Sequence, residues 1–254
     1  LTLPAAAASP VLIHSNIANH NHFPEVFYVQ NQVGDRCTAT LVGKSAIVTA
    51  AHCVSDSKVI RVLVPSDKKI MASCEMHEGY VGGDYDIAMC KTDAPIKDIP
   101  PASLSARWPE MNQRVMLMGY GCINPDRTGG NDGKLRLGYS KVYALPYGGP
   151  TGEHWFYTMD DAALCSGDSG GPAFEVQPDM PEAHHWVIGV NSRGNMRDLS
   201  LMTAVFDMSI RQFVMDWAKR LKVTVCGINR ACDEEFVARP PRASNPLAYS
   251  LDGI

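Results

Sequence analysis

Two short stretches carry residues suited to nucleophilic chemistry. His52 sits in "TAAHC" (49–53) and Ser169 in "SGDSGGP" (166–172), more than a hundred positions apart. A serine hydroxyl is a weak nucleophile at neutral pH, so a base must take its proton as it attacks a carbonyl carbon. Histidine is the usual base, and a buried carboxylate holds its tautomer and stabilises the imidazolium. Between the two stretches, "DYDIAM" (84–89) supplies two competing carboxylates, Asp84 and Asp86. Negative charge developing on the attacked oxygen also needs fixed donors, commonly backbone N–H groups. The glycines around Ser169 allow a tight turn that aims the Gly167 and Ser169 N–H groups at one spot. Taken singly, each piece has a plainer reading: a structural histidine, a Gly-Asp-Ser-Gly turn, a solvated turn aspartate.

The elements that must bring these residues together are mostly short and of β type. "EVFYVQ" (25–30), "CTATLV" (37–42), "SAIVTA" (45–50), "VIRVLV" (59–64), "RVMLMGYG" (114–121), "KVYALP" (141–146) and "HWVIGVNS" (185–192) read as strands. Clusters of Gly, Pro, Asn and Asp punctuate them, which suggests antiparallel barrels or a sandwich. The Pro-rich stretch 93–113 reads as a connection between two such units. Within "DMSIRQFVMDWAKRLK" (207–222), Ile210, Phe213, Val214, Trp217 and Leu221 form one apolar stripe at helical spacing. That stripe reads as a packing face. The prolines of the final "ARPPRASNPLAYSLDGI" preclude regular structure there.

Composition narrows the function classes. At 254 residues, with 45% hydrophobic and 20% charged residues, the chain can bury a sizeable core. The net charge is −4 and no block of like charge occurs, which argues against nucleic acid or an anionic membrane as partner. No apolar run approaches the length of a membrane span. Eight cysteines, none in a Cys-x-x-Cys pair, fit a disulfide-stapled protein of an oxidising compartment, although eight allow 105 pairings. "LTLPAAAASP" at the start reads as the end of a secretory signal or as a flexible N-terminus, and both agree with export. "HNH" (20–22) and His184-His185 read as surface loops, without a third ligand at useful metal spacing.

Jointly, and in the order His52, Asp86, Ser169, the motifs resemble those of trypsin/chymotrypsin-like serine proteases over about residues 11–222. The resemblance implies an all-β fold of two packed six-stranded antiparallel barrels followed by a helix. The expected boundaries are residues 1–10 for the N-terminal segment, 11–104 and 105–222 for the barrels, and 223–254 for a Cys-containing tail. It implies His52 as base and then acid, Asp86 as its orienting group and Ser169 as nucleophile. The Gly167 and Ser169 N–H groups would form the oxyanion hole. Ala163 and Leu164 would line the pocket for the residue before the cut bond, and Ser192, Arg193 and Gly194 would bind substrate backbone. A protein or peptide substrate follows, with room for a protein inhibitor as partner, no cofactor, no metal, and a secreted or periplasmic location.

Residue by residue, Cys37 and Cys53 correspond to the family disulfide that braces the histidine loop. Cys165 lacks its usual family partner, and Cys122, just after "MGYG", is the nearest substitute. Cys74–Cys90 and Cys226–Cys232 then follow by elimination and short spacing. Ala163 stands where Lys/Arg-specific members carry a carboxylate, so preference for uncharged side chains is expected, with acidic ones as runner-up. Arg193 replaces the usual Trp. The family frees an α-amino group that pairs with the Asp before the nucleophile, here Asp168. The matching "VLIHSNIA" (11–18) lacks the two glycines, and no Lys or Arg precedes Arg36. An activating cut in this stretch would need a specificity other than trypsin's. The rival reading is a catalytically silent binding module on the same scaffold.

Overall fold

The computed structural model describes residues 12–64, 69–124, 126–127, 129–145, 154–176 and 184–232. A short strand β1 (Asn16–Ile17) leads into six strands with dense apolar content. These are β2 (Val26–Asn31), β3 (Arg36–Gly43), β4 (Ala46–Thr49), β5 (Val59–Leu63), β6 (Lys69–Met76) and β7 (Ala88–Thr92). They pair antiparallel in the order β2-β3-β4-β7-β6-β5, and β2 pairing with β5 closes the barrel. Closure removes the open edges that an isolated sheet would present. Alternation along β5, where Ile60 and Val62 are buried while Arg61 and Leu63 are exposed, shows one face turned to the barrel interior.

After the Pro-rich connection, β8 (Ser103–Leu104) runs parallel to a later strand, β13. The second barrel uses β9 (Arg114–Gly119), β10 (Arg136–Ala144), β11 (Trp155–Met159), β12 (Pro172–Glu175), β13 (Trp186–Gly194) and β14 (Leu199–Ala204). Its order is β9-β10-β11-β14-β13-β12, closed by β12 on β9. The fold is therefore two closed six-stranded antiparallel barrels with one C-terminal helix.

That helix, α1 (Met208–Leu221), starts at Asp207, whose carboxylate accepts the Ser209 and Ile210 N–H groups. It stops at Lys222, in the left-handed region at φ 52°. Its stripe packs Ile210, Val214 and Trp217 into one core with first-barrel residues such as Leu41, Ile47 and Ile60. Below it, Cys226 N–H donates to Val42 O at 2.7 Å.

Disulfides join Cys37–Cys53, Cys74–Cys90, Cys122–Cys165 and Cys226–Cys232. The expected N-terminal segment and residues 233–254 of the expected tail lie outside the described residues. His184 departs from the surface reading. It is 7% exposed, and its Nε2 meets Ser103 Oγ at 2.8 Å, because β13 is flanked there by β8. His185 pairs with the buried Glu25 beside β2.

Candidate active site

His52 lies on a single 3-10 turn (Ala51–Cys53) at the end of β4, anchored by the Cys37–Cys53 bridge to β3. The ligand atoms of Cys37, His52 and Cys53 lie within 4.8 Å of one another, but the two sulfurs are bonded to each other, so no thiolate offers itself to a metal. Asp86 precedes β7 and is 1% exposed. Its Oδ2 lies 2.7 Å from His52 Nδ1 and accepts the Ser192 hydroxyl at 2.6 Å. Its Oδ1 accepts the His52 backbone N–H at 2.9 Å. Burial pushes the Asp86 carboxyl up, but the hydrogen bonds and charge of His52, with the Ser192 hydroxyl, outweigh it and hold it below the usual carboxylate range. Asp84, the competing carboxylate, is half-buried and accepts the N–H of Tyr85 next to it.

Ser169 occupies the turn between Cys165 and β12. Its Oγ faces Ser192 O at 3.4 Å. Gly167 has φ +104°, a conformation strained for any side chain, and a Cβ there would also press on Gly121 Cα. Asp168, between them, is fully buried; its Oδ1 accepts Gly121 N–H at 2.8 Å and its Oδ2 accepts Cys165 N–H at 2.9 Å. Burial pushes its carboxyl up to about 7, against those two hydrogen bonds and the charge of Arg136.

One cleft of about 390 Å³ gathers His52, Asp86, Ser169, Leu164, Ser192, Arg193 and Gly194. Ala163 does not reach it: it is fully buried and bridged to Ile13, whose carbonyl accepts its N–H at 3.1 Å. Gly167 is half-exposed and lies between Ser166 and Ser169, which both line the cleft. Arg193 reaches across to donate to Gly82 O at 3.1 Å, and a Cβ at Gly83 would overlap its guanidinium. Tyr80, Arg127 and Met196 also line the cleft and carried no sequence signal. Tyr80 lies between β6 and β7 of the first barrel, Arg127 between β9 and β10 and Met196 between β13 and β14 of the second, so they meet His52 where the two barrels pack together. The pairing of β13 with β12 ends at Val190, so Ser192–Gly194 has no strand on that side among the described residues. A second cavity, of about 430 Å³, contains Lys44, Lys97 and Lys222 but no serine–histidine–carboxylate set.

Comparison with known proteins bears on this arrangement. The family model described as Trypsin matches residues 13–209. The chain belongs to the trypsin family of serine proteases. Snake venom serine protease catroxase-1 of Crotalus atrox is 25% identical over 85% of this chain and 88% of its own length. Snake venom serine protease PA of Trimeresurus stejnegeri is likewise 25% identical, over 87% and 91%. A protein named snake venom serine protease homolog, from Bothrops jararacussu, is 26% identical over 66% and 74%. As a family member the chain is a trypsin-like serine endopeptidase.

Proposed function

We propose that this endopeptidase cuts peptide bonds through Ser169, His52 and Asp86. The observation that carries the reading is the 2.7 Å contact between His52 Nδ1 and the buried Asp86 carboxylate. With Nδ1–H donated to Asp86, Nε2 is left as the acceptor for a hydroxyl proton. The 3.4 Å contact of Ser169 Oγ with Ser192 O is weak, so rotation about χ1 redirects the hydroxyl at little cost.

In the proposed sequence Ser169 Oγ attacks the carbonyl carbon as His52 takes its proton. The oxygen's negative charge is received by the Gly167 and Ser169 N–H groups. His52 then gives the proton to the leaving nitrogen, the C–N bond breaks, and an acyl-enzyme forms. Water, deprotonated by His52, attacks the ester, and collapse returns the proton to Ser169 and frees the acid. The open side of Ser192–Gly194 offers main-chain groups to an extended peptide, as an added strand.

The specificity proposed is not for Lys or Arg. A buried cation needs a paired charge. Among the described residues the carboxylate lining the cleft is Asp86, which His52 and Ser192 already occupy, and the neighbouring side chains include Leu164, Met196, Arg127 and Arg193. A secreted or periplasmic location is supported by four disulfides, by venom proteases among the relatives, and by the lack of a membrane-crossing helix among the described residues. Labelling with a peptidyl organophosphonate tests the reading. Modification of Ser169, lost in Ser169→Ala, is expected; a chain inert in every processed form would favour the silent scaffold.

A further inference from the structure

The turn that bears Ser169 is gripped from the opposite barrel by one buried side chain. Thr38 follows Cys37 on β3 and is 0% exposed. Its hydroxyl donates to Gly167 O at 2.8 Å and accepts the Tyr120 N–H at 3.1 Å. Its own N–H donates to Ser169 O at 2.8 Å, while its carbonyl accepts the Thr49 hydroxyl at 2.9 Å. Every polar group of Thr38 is thereby used, two of them on the residues flanking Asp168.

Ser166 O accepts the Cys122 N–H at 2.9 Å, and Asp168 O accepts the Gly171 N–H at 3.0 Å and Asn191 Nδ2 at 3.2 Å. In a planar trans peptide the C=O and N–H point in opposite directions. Those bonds therefore turn the Gly167 and Ser169 N–H groups the other way. The alternate carbonyls along the turn, Gly167 O and Ser169 O, are the ones Thr38 holds. Asp168 N–H, on the same peptide as Gly167 O, is tied at its other end to Cys165 O at 3.0 Å. Removing the hydroxyl leaves Cys165 O as the remaining anchor of that plane, which can then turn through ψ of Gly167 and φ of Asp168, a motion that the missing Cβ of glycine leaves less hindered. It also strands a half-buried acceptor, Gly167 O, and a buried donor, the Tyr120 N–H.

We infer that Thr38 is a positioning residue for the oxyanion-binding amides: its hydroxyl, supplied by the first barrel, holds the second barrel's nucleophile turn in the attacking geometry. The inference rests on the reading of Ser169 as nucleophile. Thr38 touches no substrate, so its effect must act through the Gly167 and Ser169 N–H groups.

The test compares Thr38→Val, which keeps the branched shape, and Thr38→Ser, which keeps the hydroxyl, in the full chain. The readouts are kcat and KM on a peptide that the wild type cleaves, plus affinity for the matching peptide aldehyde, which forms a tetrahedral adduct. For Thr38→Val, kcat should fall roughly 10- to 100-fold with KM within about threefold. Aldehyde affinity should fall in parallel, and Thr38→Ser should stay near wild type. If Thr38→Val does not fold, Thr38→Ala is judged by the same readouts. A folded hydroxyl-less variant with unchanged kcat and aldehyde affinity, or with a change in KM alone, overturns the inference while leaving the Ser169 reading standing. A wild type inert to phosphonate and to peptides removes both.

Discussion

The Asp168 carboxyl is fully buried and pushed up to about 7, whereas in an unfolded chain it would titrate near 3.9. The folded state thus binds this proton more tightly than the unfolded state. Its stabilising contribution is complete below about pH 4 and is lost as pH rises through about 7. At 1.36 kcal/mol per unit, the contribution is on the order of 4 kcal/mol. Denaturation at pH 4, 5.5 and 7 should show a flatter stability profile for Asp168→Asn than for the wild type, whatever its absolute value. Equal slopes would assign the pH dependence to other groups. Ser169→Ala should cut turnover by roughly 10⁵- to 10⁶-fold without moving the melting temperature. Arg193→Glu places a carboxylate in the cleft, so cleavage beside basic substrate residues should rise at least several-fold in a peptide-library profile. An unchanged profile would remove Arg193 from substrate recognition.

Among the elements, α1 depends on its cap. Asp207→Ala should cost about 1 kcal/mol, read as a lower melting temperature with peptidase activity intact. This helix was legible because its apolar stripe recurs at helical spacing from Ile210 to Leu221. The strands were legible in part. Runs rich in Val, Ile and aromatics, such as Val26–Asn31 and Val59–Leu63, appear close to where their composition puts them. β6 (KIMASCEM), β12 (PAFE) and β14 (LSLMTA) did not stand out: they lack β-branched runs, and β12 opens on a proline. Their pairing is imposed by barrel closure rather than by local preference. The same division runs through the candidate site. His52, Asp86 and Ser169 carry distinctive neighbours along the chain. The contact of Thr38 with Gly167 spans 129 positions and leaves no local mark.

For the molecule as a whole, the four disulfides are not equivalent. In the chain-entropy account, removing Cys122–Cys165, which closes a separation of 43, should cost roughly 4 kcal/mol, against about 2 for Cys226–Cys232, which closes 6. Paired serine variants compared by denaturant midpoint check the order. A larger loss from the shorter loop would point to packing of Val225 and Cys226, both fully buried. The packing of Ile210, Val214 and Trp217 into the core that also holds Leu41 and Ile60 has a consequence for biogenesis. The first barrel's last strand ends at Thr92, and the helix that completes its core begins only at Met208. A ribosome adding about 5–20 residues per second needs on the order of ten seconds to cover that stretch. During this interval the emerging first half exposes apolar surface with nothing of its own to cover it, so chaperones have their longest opportunity there. A nascent chain halted before Met208 is the one most prone to aggregate.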